Sequence, residues 1–133
     1  MTIETPAQAL IDAASDGIGN EQMLAAIHLL GHHDGGYWLR RFLTPDEGPQ
    51  YDLFGESWSE VVQLDEKGRS HLGWDRIGEL LEEDAFKASS SQKAILSVAV
   101  SLTGHYRVDL QRIVTLLDDQ QMRLVNEALA NAT

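Results

Sequence analysis

The chain has 133 residues, 43% of them apolar and 23% charged, which is the size and composition of one globular domain rather than a disordered segment. It contains no cysteine, so disulfides, thiolate nucleophiles and cysteine-bound zinc are excluded together. A formal charge of −11 opposes contact with nucleic-acid phosphates and anionic membrane surfaces, and leaves basic protein surfaces and cations as the natural partners.

That charge is uneven. Residues 1–45 hold five acids and two bases, residues 46–86 twelve acids and three bases, and residues 87–133 four acids and five bases. The middle third therefore carries most of the negative charge. Met1 to Asp16 has neither a positive start nor a long apolar run, so no signal peptide is expected there. No apolar stretch approaches the roughly 18 residues of a spanning helix, and a cytoplasmic, disulfide-free protein is the simplest expectation.

In chain order, Thr5-Pro6-Ala7-Gln8 has the pattern of a capping box and predicts a helix over 6–15 with Leu10, Ile11 and Ala14 on one face. Asn20 caps a second helix carrying Met23, Leu24, Ile27 and Leu30, ended by Gly31 or by Asp34-Gly35-Gly36. A short third helix, Tyr37 to Leu43, stops before Pro45. Residues 44–73 are rich in proline and glycine and read mainly as loop. Within them Ser57-Trp58-Ser59-Glu60 predicts a helix through Val61, Val62 and Leu64. The competing reading is a small β-hairpin in 60–72 around Asp65-Glu66-Lys67-Gly68, and the capping box favours the helix.

From Trp74 the helical signal strengthens, with Trp74, Ile77, Leu80 and Leu81 on one face and acids off it. Ser89-Ser90-Ser91-Gln92 opens a helix over 90–103 that is apolar almost all round except for Lys93, Ser97 and Ser101, so it must be surrounded. Gly104 suits the left-handed position beyond it. Asp109 caps a helix with Leu110, Ile113, Val114 and Leu117, and Asp118-Asp119-Gln120-Gln121 opens a last one with Met122, Leu124, Val125, Ala128 and Leu129. The expected fold is all-α: a single domain over 1–133, of about six or seven short helices around the 90–103 helix, anchored by the C-terminal third.

Chemistry is sparse. Gly55-Glu56-Ser57-Trp58-Ser59 resembles a nucleophile elbow but has Ser59 where that turn requires glycine. The glycines lack phosphate-loop spacing, and 65–68 lacks the alternating ligands of a calcium loop. His28 and His32, four apart on the second helix, are the weak candidates for a metal site or metal-dependent enzyme, with His33, His71 or His105 as further ligands; the bland role for His32 and His33 is to cap the helix dipole. Arg40-Arg41 beside Tyr37, Trp38 and Phe42 would stack on a base or, more simply, pair with the chain's own carboxylates. Ala94 to Leu117, with Arg107 and Arg112, has the order of a helix-turn-helix and gives a small transcriptional regulator as a further alternative.

No cofactor is expected. The leading expectation is a non-enzymatic interaction or regulatory module that binds a basic protein, as an inhibitor or DNA mimic in its sharper form. Glu79, Glu82, Glu83 and Asp84 are the docking residues: they fall late in a helix, where carboxylates oppose the helix dipole, and Lys87 offers relief only if that helix runs on.

Overall fold

The computed structural model describes residues 6–44 and 61–133; Thr5 of the first capping box, and the Ser57 box and Gly55–Ser59 elbow, lie outside them. Among the described residues the chain forms seven α-helices: α1 (Ala7–Ser15), α2 (Glu21–His32), α3 (Tyr37–Leu43), α4 (Trp74–Glu82), α5 (Ser90–Leu102), α6 (Leu110–Leu116) and α7 (Asp119–Asn131). A 3-10 turn, His33–Gly35, links α2 to α3, and two short strands, β1 (Val62–Leu64) and β2 (Ser70–Leu72), precede α4. No helix among them is long and apolar enough to cross a membrane.

Side-chain caps set the starts of α2, α5, α6 and α7. Asn20 accepts from the Met23 amide at 2.9 Å. At Ser89 and at Asp118 both halves of the box form: the cap side chain accepts from the third amide, and the Gln92 or Gln121 carboxamide accepts from the cap's own N–H. Asp109 accepts from the Gln111 amide, and Gly104 takes φ +85° after α5. At the N-terminus the helix begins one residue later than expected: Pro6 is the cap, and Gln8 bonds Asp12 instead.

Helix α5 is buried from Ala94 through Val100, the central position its all-round apolar pattern predicts. It shares that position with α2, which packs on α1, α3, α5 and α7. Gly31 does not end α2. It sits inside the helix where a β-carbon would strike the Ile11 side chain, so that side chain of α1 packs directly onto the α2 backbone there. The largest fully buried side chains include Trp38 and Phe42 of α3, which stack with centroids 5.8 Å apart and meet Phe86 edge-on. Trp38 Nε1 donates to the Gln92 carbonyl at 2.8 Å. The core is thus anchored by both ends of the chain, not by the C-terminal third alone.

Two further expectations are corrected. Residues 62–64 are a strand, not a helix: β1 pairs antiparallel with β2 in the register Val62 to Leu72, Gln63 to His71 and Leu64 to Ser70. Val61 itself is helical; from Val62 onward the extended preference prevails, as the hairpin reading of 60–72 expects, because Val62 and Leu72 are buried together. In α6 the gapless apolar pattern is only half used. Ile113 and Leu117 are buried, whereas Leu110 and Val114 are 72% and 65% exposed, because their shared row points away from α5.

Candidate functional site

The acidic end of α4 is built by the helix's own amphipathicity. Trp74, Ile77, Gly78 and Leu80 face the core, and Gly78 lies so close to the His105 carbonyl oxygen that a β-carbon would collide with it. Glu79 and Glu82 are left on the outer side, Glu83 is the C-cap and Asp84 follows in the left-handed region at φ +52°. That conformation, tolerated best by glycine, asparagine and aspartate, stops the helix, so Lys87 is not on it. Relief comes from other cations: Arg76 Nη1 reaches Glu79 at 2.8 Å, and Lys93 of α5 reaches Asp84 at 3.0 Å. Glu82 and Glu83 are exposed and have no cationic partner among the described residues. The four predicted docking residues therefore fall into one paired couple and one unpaired couple.

Asp84 and Lys93 also stand on the wall of a groove of about 400 Å³ between the end of α4, α5, residues 106–109 and α6. Leu81, Ala94, Ile113 and Leu116 supply its apolar surface; Arg107 and Arg112 supply charge. The sequence places these two arginines beside helices in helix-turn-helix order, but gives no sign that α4 closes a groove over them. That closure depends on Gly78, whose missing side chain lets α4 approach the turn after α5.

Helix α2 brings His28 and His32 together, with ring centroids 5.8 Å apart, over a space of about 80 Å³ shared with Glu127 of α7. No group of three His, Asp or Glu side chains among the described residues converges in a way that could hold a metal ion. The further histidines are engaged elsewhere. His71 Nε2 donates to Asp65 at 2.8 Å, and His105 lies 3.1 Å from the Thr103 hydroxyl. His33 is the C-cap of α2, but its ring is buried toward α7 rather than left in solvent at the helix end.

Asp65 is a hub the sequence did not single out. One oxygen accepts from the Lys67 and Arg69 amides, the other from Arg69 Nε and His71 Nε2. The His71 bond, with those from Arg69 and Lys67, outweighs desolvation and holds this carboxyl well below the usual carboxylate range. The hub fixes the hairpin turn. Arg41 is buried with its guanidinium 4.7 Å over Trp38, and donates to the Tyr37 hydroxyl and the Lys87 carbonyl; Arg40 donates to the Gly35 carbonyl. Arg41 stacks on its own chain and locks the 85–88 segment to α3.

Comparison with protein-family models, with curated proteins and with solved structures finds no match to this chain.

Proposed function

We propose that the chain is a protein-interaction module that docks a basic partner on the acidic end of α4. The observation that carries this reading is the unpaired couple Glu82 and Glu83. Both are exposed, both lie where the helix carbonyls already concentrate negative potential, and neither is compensated by a described cation. Folding gains nothing from that placement, whereas a lysine- or arginine-rich partner gains association rate from the concentrated field. In the sharper form of the proposal the partner's basic surface is one that binds nucleic acid, and the module covers it.

The test is a pull-down at low and high salt with wild type and a Glu82→Gln/Glu83→Gln variant. The expected partner is basic, is released by salt, and is lost by the variant at low salt; duplex DNA should compete for it if the sharper form holds. A partner that both proteins retain equally at low salt makes the acidic end ordinary solvated surface.

A further inference from the structure

Of the ten Lys and Arg residues, Lys67, Lys87, Arg107, Arg112 and Arg123 make no side-chain hydrogen bond or ion pair among the described residues. Arg69, Arg76 and Lys93 each hold an acid. Of the first group, Arg107 and Arg112 both stand on the wall of the 400 Å³ groove between α4, α5 and α6. A groove of that size is within the range that takes small ligands.

The other charges facing it are accounted for. Lys93 and Asp84 neutralise each other at 3.0 Å. Asp109 has one carboxylate oxygen committed to the Gln111 amide. Among the described residues three cations stand against two acids on its wall, a local positive excess on a chain of charge −11. The uncharged part of its lining is mixed: Leu81, Ala94, Ile113 and Leu116 are apolar, Ser90 and Ser97 are polar, and the half-buried Tyr106 stands beside them.

We propose that this groove binds a small organic acid, an apolar or aromatic body ending in a carboxylate, with Arg107 and Arg112 receiving the carboxylate and the apolar wall receiving the body. A guanidinium presents paired N–H donors that match a carboxylate's two oxygens. The mixed surface demands a ligand with both an apolar and an anionic part. The negative field of the whole chain penalises a doubly charged phosphate more than a singly charged carboxylate. The unpaired couple that carries the docking reading, Glu82 and Glu83, does not line the groove; of the acidic end only Asp84 does, and it is held by Lys93.

The experiment is a titration of the ¹⁵N-labelled full chain with benzoate, phenylacetate and octanoate, each against its neutral amide, with inorganic phosphate as a further arm. Ligands are taken to about 10 mM, where millimolar affinity approaches saturation. At least one acid should give saturable shifts at the amides of Ala94, Tyr106, Ile113 and Leu116, with its neutral amide about tenfold weaker or more. An Arg107→Gln/Arg112→Gln variant, with both changes at exposed positions, should keep the rest of its spectrum and weaken that acid by about tenfold or more. Four results each overturn the proposal: no saturable shift from any acid, equal binding of acid and amide, unchanged binding by the double variant, or phosphate acting at these amides as strongly as the acids.

Discussion

His33 shows what one buried titratable ring does to a fold. It is 3% exposed, and burial pushes its pKa below the ordinary value of 6.5 although Asp34 and Asp118 pull the other way. The hydrogen bonding agrees. The Gln121 carboxamide oxygen is committed to the Asp118 N–H, so its NH₂ is what faces His33 Nε2, at 3.4 Å. A neutral ring can accept there; a charged ring would set donor against donor. Because the unfolded chain takes up the proton first, stability should be fully present above about pH 6.5 and fall as pH drops toward the lower native pKa. Melting temperatures between pH 7.5 and 5.5 should show this fall in wild type, less of it in His33→Gln, and a smaller or reversed dependence in Gln121→Glu, whose carboxylate would hold the charged ring. Identical pH profiles for the three proteins would remove His33 from the account.

Among single residues, those acting through neighbours in sequence were legible and those acting through space were not. Ser89, Asp109 and Asp118 cap as their spacing predicts, because a cap needs only the next turn of chain. Asp65 collects amides and side chains from 67, 69 and 71, which meet only once the hairpin closes; the one local sign was an aspartate three residues before a glycine in a turn.

At the scale of the element, α6 separates pattern from burial. Leu110, Ile113, Val114 and Leu117 satisfy the helical template equally, yet only Ile113 and Leu117 reach the core. Periodicity predicts that a face exists; a two-turn helix at the edge of the bundle has room to bury only part of it. Ile113→Ala should therefore destabilise by about 2–5 kcal/mol, like Leu96→Ala in the buried stretch of α5, while Val114→Ala should remain within about 0.5 kcal/mol of wild type. Urea titrations of the three variants check this, and similar losses at 113 and 114 would contradict the placement of α6. The hairpin carries the same lesson in reverse. Helix and strand signals competed over 60–64, and the choice at 62–64 rests on cross-strand burial of Val62 with Leu72, a contact across the turn that neither the capping box nor strand propensity registers.

For the whole molecule the governing quantity is charge. Twenty-one acids on 133 residues repel one another, and the described ion pairs of Glu79 and Asp84 offset only part of that cost. Screening length shrinks from about 30 Å at 0.01 M salt to about 8 Å at 0.15 M, so wild type should melt higher as sodium chloride is raised through that range. The acidic end of α4 allows a sharper version. Glu82 and Glu83 oppose the helix dipole without a described cation, so Glu82→Gln/Glu83→Gln should stabilise at low salt, each change by about 0.3–1 kcal/mol, and the gain should shrink as salt is added. Glu79→Gln/Asp84→Asn removes the same formal charge but also two ion pairs, each worth roughly 0–1 kcal/mol at the surface, so its gain should be smaller. Thermal melts of wild type and both variants at low and moderate salt decide the point. If the unpaired couple proves no more costly than the paired one, the negative charge of α4 is spread evenly through solvent, and the docking proposal loses its physical motive.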